Sequence, residues 1–479
     1  MPRLPPSLLL QAYQRSQLLP LVLRGARTID SSINELRWLK EHVQTLKPAT
    51  PRQAHLNLLK LCQRRSRGEP LQYILGSQPF GELEIKCRPG VLIPRPETES
   101  YTTYLASLIN APRGSNEIPN LYPKRVNPDT PPPSLRILDL CSGSGCISLL
   151  LHSLLSPKFP SLTIFGFDIS PTAIKLAQEN LEHNVKEGQI SPSALTSSLT
   201  QAPQVQFGHG DVLQESGLPE NIGQFDIIIS NPPYISRSAF ATQTTRSVRN
   251  YEPLLALVPQ NENSDIFYSR LIRLHQIHLS NVTVMEVGDA KQAVRVVELA
   301  QEMDYQGFRG APRVRNRVEI WRDEPGFRDP DQAQEIRSIA GREIRFRGRG
   351  KIRAVVLFRE KTDRHADYKK QLNRMVVERL GEPAQPGEMS RAEKWRVVRK
   401  ERLHRTVMLR SRSRLEEKKE AKMNGTTSFR TTGLGDWSGE GKRKETSVRT
   451  MGRRMGRGRM KGKKKMGSFG SRSWLGTLY

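Results

Sequence analysis

Cysteine is scarce in this chain of 479 residues, which contains four. Cys62, Cys87, Cys141 and Cys146 follow no metal-ligand spacing and are too few to form a disulfide framework. The sequence therefore predicts reduced thiols, a reducing compartment and no metal site.

Long apolar runs are also missing. Apolar residues make up 36% of the chain, and no run of them approaches the roughly 20 residues that span a bilayer. The pattern predicts a soluble protein without a membrane partner. The apolar fraction is low for a wholly globular chain, which indicates that part of the sequence does not form a packed core.

Two common kinds of catalytic apparatus are absent from the sequence. It contains no phosphate-binding loop of the P-loop type, and no Ser/His/acid series falls near the predicted strand ends. Hydrolysis by such a series and phosphoryl transfer are therefore disfavoured.

Positive charge, by contrast, is abundant, with a formal net charge of +28. Residues 361–479 hold 33 Lys/Arg and 13 Asp/Glu, against 43 and 35 in residues 1–360. The end of the chain is also of low complexity, so we predict a basic, largely disordered tail at 361–479. Such a tail suits RNA or the ribosome as a partner, and a solvated extension without a partner is the alternative.

The first 29 residues contain no acidic residue. Four arginines are interleaved with leucines there, as in organelle-targeting segments. We predict that residues 1–29 form a targeting segment. In the alternative interpretation, the chain from Leu18 onward already belongs to the first structural helix.

A small helical domain is predicted at 30–78, because apolar residues recur there at helical intervals on either side of Pro48 and Pro51. The domain carries no chemical constellation, so we expect it to dock a partner.

Residues 79–110 are predicted to contain a β-hairpin with its turn at Arg88-Pro89-Gly90, followed by a connecting segment. Glu97 and Glu99 suit the first turn of the next helix, and their charges are typical of solvated helix starts. Residues 111–134 are rich in Pro, Asn and Ser and are predicted to be a linker.

Strands and helices alternate through residues 135–360. Strands are predicted at 135–140, 162–167, 205–207, 225–230 and 282–287, and further β-rich segments at 318–321 and 354–358. This alternation predicts an α/β fold with a doubly wound, mostly parallel sheet. Residues 322–350 are interpreted as an insertion between the last two strands.

The first strand and helix of this series are joined by the glycine-rich turn Cys141–Cys146. Such a turn points bare backbone N–H groups and a helix N-terminus at a ligand. It contains only Gly143 and Gly145, whereas a dinucleotide-binding turn prefers three glycines. Asp168, at the end of the next strand, is placed to accept both hydroxyls of a ribose. Together these features predict an adenosine-type cofactor.

The fourth strand ends abruptly at Asn231-Pro232-Pro233-Tyr234. Proline fixes φ and removes a backbone donor, so a stiff turn is expected at the sheet edge where ligands bind. The Asn231 side-chain carbonyl and the adjacent backbone carbonyl can accept both N–H bonds of a planar –NH₂ group, on which Tyr234 can pack. Asn231, Pro232 and Tyr234 are thus the predicted catalytic residues. If S-adenosylmethionine is the cofactor, its sulfonium supplies the electrophile.

Asn-Pro-Pro-Tyr is shared by adenine-N6 methyltransferases and by the protein-(glutamine-N5) methyltransferases of translation release factors, the HemK/PrmC family. Three further stretches resemble the second group: GEPLQYILG at 68–76, PGVLIPRPETE at 89–99 and VRNYEPLLAL at 248–257. Glu286-Val287-Gly288 resembles the end of that family's fifth strand. The likeness covers roughly residues 30–360.

The resemblance implies a class I S-adenosylmethionine-dependent methyltransferase with a Rossmann-like, mostly parallel seven-stranded sheet at 135–360. The residues it implies at the cofactor are Cys141, Ser142, Gly143, Ser144 and Gly145 around the methionine moiety, Asp168 on the ribose, Asp211 and Val212 by the adenine, and Asn231. Those implied at the substrate glutamine are Asn231, Pro232, Pro233 and Tyr234. The sequence departs from the family at Val212, often an aromatic residue, and at Cys141, a glycine.

The activity implied by the resemblance is N5-methylation, in translation termination, of the glutamine in the Gly-Gly-Gln motif of a peptide-chain release factor. The basic N-terminus favours the mitochondrial factor and a mitochondrial rather than cytoplasmic location. Two alternatives stay open: an adenine-N6 methyltransferase acting on nucleic acid, and an RNA- or ribosome-associated protein that acts through its basic tail.

Overall fold

The computed structural model describes residues 4–111, 118, 134–195, 204–219, 222–261, 263–306, 316–331 and 333–360. The predicted basic tail lies outside these residues, as does most of the predicted linker at 111–134. The four cysteines are free thiols. None of the helices in the described ranges is both long and apolar enough to cross a bilayer.

The N-terminal part of the chain is helical. It comprises α1 (Pro6–Arg15), α2 (Leu19–Ala26), α3 (Ile29–Thr45), α4 (Pro51–Ser66) and α5 (Leu71–Leu75). Thr28 and Thr50 each accept a hydrogen bond from a backbone N–H of the first turn, and so cap α3 and α4. A buried ion pair joins these two helices, with Arg65 Nε donating to Glu35 Oε2 at 2.6 Å. The helical domain is thus held together by an apolar core and by a buried ion pair.

This domain begins earlier than predicted. Ala12 of α1 and Leu19, Val22 and Leu23 of α2 are at most 1% exposed and pack in the same core as α3 and α4. The predicted start at residue 30 is therefore wrong for the fold. Residues within 1–29 carry helices of this domain, in line with the alternative interpretation from Leu18 onward. The targeting role of 1–29 stays a prediction.

The β-hairpin is present, but its turn is not where the sequence placed it. Strands β1 (Ser77–Phe80) and β2 (Leu83–Lys86) pair antiparallel around Gly81, whose φ is 60°. Glycine adopts such a φ without a steric penalty, and this fixes the turn before Arg88-Pro89-Gly90. The predicted following helix is confirmed as α6 (Pro96–Ile109), with Glu97 and Glu99 in its first turn.

The α/β fold predicted for 135–360 is confirmed. Its elements are β3 (Leu135–Leu140), α7 (Cys146–Leu155), β4 (Leu162–Asp168), α8 (Pro171–Lys186), β5 (Gln204–His209), β6 (Ile227–Ser230), α9 (Arg237–Gln243), α10 (Arg246–Tyr251), α11 (Ile266–His278), β7 (Val282–Glu286), α12 (Ala290–Gln306), β8 (Asn316–Glu324), β9 (Ile336–Ile339), β10 (Arg342–Arg347) and β11 (Arg349–Arg359). The short helices α9 and α10 were not predicted.

The sheet of the described residues has nine strands rather than seven, in the order β5-β4-β3-β6-β7-β11-β8-β10-β9. The two extra strands come from the segment interpreted as an insertion. β9 and β10 pair antiparallel around Ala340 and Gly341, which both have positive φ, and β10 then pairs with β8. The sequence pattern of these strands is weak, because three of the four β9 side chains are exposed and β10 carries three arginines.

Apolar side chains alternate between the two faces of the sheet. Ile137, Ile227 and Val282 pack under α6 and α7, while Leu138 and Ile228 face α11 and α12. Because β3 to β7 are parallel in this order, their carboxyl ends lie along one edge. The chain reverses its winding direction between β3 and β6, and ligands bind at such switch points in open α/β sheets.

Two asparagines of α8 attach the hairpin to the α/β domain. Asn184 Oδ1 accepts from the Glu84 backbone N–H at 3.0 Å, and Asn184 Nδ2 donates to the Glu84 carbonyl at 3.0 Å. Asn180 Oδ1 accepts from the Lys86 N–H at 2.7 Å, and Asn180 Nδ2 donates to the Ser144 carbonyl at 2.9 Å. The two α8 side chains therefore provide hydrogen-bond partners for backbone groups of β2, as a neighbouring strand would.

Replacing Asn184 with alanine should lower the free energy of unfolding by about 1–3 kcal/mol, because the Glu84 N–H and C=O lose their partners. Urea denaturation followed by circular dichroism would measure this change. Glu182→Ala, on the exposed face of the same helix, is the matched control and should stay within about 0.5 kcal/mol of the parent. Equal stability of the two variants would contradict the bridging role of Asn184.

Candidate functional site

A cleft opens at the carboxyl edge of the sheet. Its lining comes mainly from the loops that follow the parallel strands β3, β4, β5 and β6, from the segment before α6 and from the loop after α10. The lining residues lie at 90–95, 141–144, 168–170, 210–213, 231, 233, 253, 255–256 and 259–260, together with Thr98, Cys146, Ile147, Ala173 and Phe267. Sequence-predicted residues from four strand ends thus meet in one place.

The glycine-rich turn has the conformation expected of a ligand-binding loop. Gly145 has a φ of 78°, and a Cβ there would lie 2.8 Å from the Phe207 ring, so the position requires glycine. Cys141 has a φ of 61°, in the left-handed region that favours glycine. Cysteine therefore replaces the family's glycine at a position whose backbone conformation glycine adopts most easily.

Asp168 connects the glycine-rich turn to the next helix. Its Oδ2 accepts from the Gly143 backbone N–H at 2.9 Å, and its Oδ1 accepts from the Ser170 N–H at 2.8 Å. Burial raises the pKa of Asp168, and these N–H groups oppose the shift. Since a carboxylate has about four lone-pair sites, each oxygen can still accept a hydroxyl from the cleft.

Asp211 and Val212 follow β5 and line the cleft. Asp211 Oδ1 accepts from the Leu213 backbone N–H at 3.0 Å, and Arg270 Nε donates to the Val212 carbonyl at 3.0 Å. Val212 is 4% exposed, so it offers an apolar wall rather than an aromatic stacking surface.

Asn231 and Pro233 line the cleft, while Pro232 and Tyr234 lie outside its lining. The half-buried Asn231 amide donates from Nδ2 to Thr98 Oγ1 at 3.4 Å. An amide group held by its nitrogen leaves its oxygen available as an acceptor.

Tyr234 is directed into the protein. Its hydroxyl donates to Glu286 Oε1 at 3.0 Å, and its backbone carbonyl accepts from Gln292 Nε2 at 3.1 Å. Burial raises the pKa of Tyr234, so the phenol stays protonated at neutral pH. The contacts tether the turn from its far end. Packing of Tyr234 on a substrate remains a prediction.

Sequence reasoning missed an ion pair at the cleft. Arg95 Nη2 donates to both carboxylate oxygens of Glu252, at 2.6 and 2.8 Å, and the Ile93 N–H donates to the same carboxylate at 3.3 Å. The pair joins the PGVLIPRPETE stretch to the VRNYEPLLAL stretch. Both stretches were visible in the sequence, but nothing in their spacing indicates that 157 residues of separation close into one contact.

A second buried carboxylate lies beneath the glycine-rich turn. Asp139 is fully buried, and its Oδ2 accepts from Ser148 Oγ at 2.6 Å, whereas its Oδ1 has no partner among the described residues. Burial and the nearby Asp168 raise the pKa of Asp139 to about 7, and the Ser148 hydrogen bonds partly offset this shift. The group therefore titrates near neutral pH.

The cleft suits an adenosine-containing cofactor. Ser142 Oγ lies in the lining, is buried, and has no hydrogen-bond partner within the described ranges, which is the state expected of a group that a ligand satisfies. Asp168 offers its remaining acceptor sites nearby. No group of three or more His, Cys, Asp or Glu side chains in the described residues is placed to hold a metal.

Comparison with known proteins shows which families and proteins this chain is similar to. The family described as N-6 DNA Methylase matches residues 117–281. The chain is 33% identical over 316 residues to the probable MRF1 mitochondrial N(5)-glutamine methyltransferase mtq1 of Schizosaccharomyces pombe, covering 64% of this chain and 91% of that protein.

Two further relatives carry related descriptions. The mitochondrial MRF1 N(5)-glutamine methyltransferase MTQ1 of Saccharomyces cerevisiae is 32% identical over 307 residues, which cover 64% of this chain and 82% of that protein. The release factor glutamine methyltransferase of Thermodesulfovibrio yellowstonii is 34% identical over 253 residues, which cover 52% of this chain and 74% of that protein.

Asp139 predicts a specific pH dependence of stability. The pKa of Asp139 is raised in the folded state. Its protonated carboxyl therefore contributes fully to the free energy of unfolding below about pH 4, and this contribution is lost as the pH rises through about 7, at up to about 1.4 kcal/mol per pH unit. Asp139→Asn should therefore lose less stability than the parent between pH 5 and pH 8 in urea denaturation. The exposed-site control Glu182→Gln should follow the parent. Parallel losses in the parent and Asp139→Asn would contradict the prediction.

Proposed function

Since this chain belongs to the family of release factor glutamine methyltransferases, we propose that it methylates N5 of the glutamine in the Gly-Gly-Gln motif of a peptide-chain release factor. S-adenosylmethionine is the methyl donor of this family's reaction. The observation that carries the proposal is the convergence of the glycine-rich turn, Asp168 and Asn231 on one cleft. The residues proposed to bind the cofactor and the residue proposed to accept the substrate amide therefore line the same cleft.

We propose that the backbone of 141–145 and the unpartnered Ser142 hydroxyl hold the methionine moiety. Asp168 would accept the ribose hydroxyls, and Asp211 and Val212 would border the adenine. When bound, S-adenosylmethionine supplies an electrophilic methyl group on a positively charged sulfur. These residues supply position, and correct positioning accounts for much of the rate in such a transfer.

The substrate amide is a weak nucleophile, because its nitrogen lone pair is delocalised. Although Pro232 lies outside the cleft lining, its carbonyl and Asn231 Oδ1 would accept the two N–H bonds of this amide, which fixes the plane of the amide and directs the nitrogen at the methyl group. The two prolines make this turn stiff, so little freedom is lost on binding. The proton released by the reaction would pass to solvent.

The relatives support a mitochondrial release factor as the substrate. Two of them are described as mitochondrial MRF1 methyltransferases, and the N-terminal residues 1–29 are basic and free of acids. We therefore propose a mitochondrial location. Contact of the basic segment 361–479 with RNA or the ribosome belongs to the same proposal.

Methylation of nucleic-acid adenine is the second candidate. The match of 117–281 to N-6 DNA Methylase favours it, because an exocyclic amine also presents a planar –NH₂ group. The relatives that span most of their own length with this chain are glutamine methyltransferases, which favours the first candidate.

Incubation with isotopically labelled S-adenosylmethionine tests the two candidates directly. We expect label on a mitochondrial release factor and none on its Gln→Ala variant in the Gly-Gly-Gln motif. Adenine-containing DNA and RNA are offered in parallel, both to the full chain and to a chain ending at Glu360. Label on both release factor forms alike would exclude the glutamine, and label on nucleic acid alone would favour the second candidate.

The two halves of the cleft should be separable by mutation. Asn231→Ala should abolish methyl transfer while the dissociation constant for S-adenosylmethionine stays within about twofold, because Asn231 is assigned mainly to the substrate. Asp168→Ala should weaken cofactor binding at least about tenfold, since it removes the ribose acceptors and the tether to Gly143. Calorimetric titration and the labelling assay give the two readouts. A fully active Asn231→Ala would refute the mechanism.

A further inference from the structure

A buried carboxylate lies behind the cleft at the end of β7. Glu286 is 1% exposed, and three hydroxyl groups donate to it. Thr98 Oγ1 and Tyr101 Oη donate to its Oε2 at 2.8 and 2.9 Å, and Tyr234 Oη donates to its Oε1 at 3.0 Å. Each hydroxyl has one proton to give, so the arrangement is fully satisfied when Glu286 is an acceptor only.

The direction of these bonds determines how Asn231 is oriented. Because the Thr98 proton is given to Glu286, the Thr98 oxygen can only accept a hydrogen bond from another group. The neighbour at 3.4 Å is the Asn231 side chain, which must present its –NH₂ group there. The Asn231 carbonyl oxygen then points away from Thr98, and both groups lie in the cleft lining.

The opposite amide orientation is disfavoured by the same logic. It would place the Asn231 oxygen against the Thr98 oxygen, with no proton between them unless Thr98 gave up its bond to a buried carboxylate. Removing a partner from a buried charged acceptor costs more than losing a neutral hydrogen bond.

Tyr234 fixes the other end of the same turn. Its bond to Glu286 and the bond from Gln292 to its carbonyl hold the residue that follows the two prolines. One carboxylate therefore restrains both the side chain at the start of the turn and the phenol at its end.

We propose that Glu286 and Thr98 are positioning residues that hold the Asn231 amide with its oxygen toward the substrate nitrogen. The inference rests on the proposed function and adds to it the residues that set the acceptor's direction. Glu286 lies outside the cleft lining, and Thr98 contacts the Asn231 amide through its hydroxyl. Their effect on the reaction passes through Asn231.

Substitutions at Thr98 test this role, with the release factor as substrate. Thr98→Val keeps the shape and removes the hydroxyl, so kcat should fall about 10- to 100-fold while the dissociation constant for S-adenosylmethionine stays within about twofold. Thr98→Ser retains the hydroxyl and should stay within about threefold of the parent kcat.

Thr102→Val is the matched control. Thr102 is buried one turn further along α6, and its hydroxyl donates at 2.6 Å to the Thr98 backbone carbonyl rather than to Glu286. The same chemical change there should leave kcat within about twofold. The inference is overturned if Thr98→Val keeps the parent kcat, or if Thr98→Ser loses as much as Thr98→Val.

A double-mutant cycle separates positioning from general destabilisation. Glu286→Gln and Thr98→Val act on one chain of bonds, so the combined variant should be no slower than the slower single variant. Independent losses that multiply would overturn the inference. Failure of the parent chain to label the release factor would instead overturn the proposed function, and the inference with it.

Discussion

Glu286 places a carboxylate in the apolar interior, and the arrangement of the cleft depends on how that carboxylate is satisfied. Its side chain receives hydroxyls from α6 and from the turn after β6, and its backbone carbonyl receives the Tyr268 hydroxyl from α11. Burial raises the pKa of Glu286, while the three hydroxyls that donate to its side chain and the nearby Arg353 oppose the shift. Elements on both faces of the sheet are thereby held against one strand end.

Much of the fold could be predicted because it follows from local patterns. Alternating apolar strands and helices gave the doubly wound sheet, and capping residues such as Ser170, whose side chain accepts from the Ala173 N–H, marked a helix start. The cofactor turn, Asp168 and Asn231 could be placed at one edge because parallel strands end together. These inferences need only the sequence near each residue.

The features that were missed depend on long-range pairing. Half of the ten side chains in β9 and β10 are charged, and three of the four in β9 are exposed, so apolar alternation does not reveal these strands. The Arg95–Glu252 ion pair closes over a long separation, and the direction of the Tyr234 hydroxyl is decided by Glu286, 52 residues away. The helices within the first 29 residues were missed because their leucines, interleaved with arginines, match the composition of a targeting segment. Some of these leucines also pack in the core of the helical domain.

The two asparagines of α8 have a consequence for how the molecule opens. Asn180 bonds the hairpin at Lys86 and the glycine-rich turn at Ser144 through one side chain, so neither segment can leave α8 without disturbing the other. Hairpin and turn therefore form one cooperative unit of local unfolding. We therefore expect a ligand that stabilises the turn to slow amide hydrogen exchange in the hairpin as well, although no hairpin residue lines the cleft.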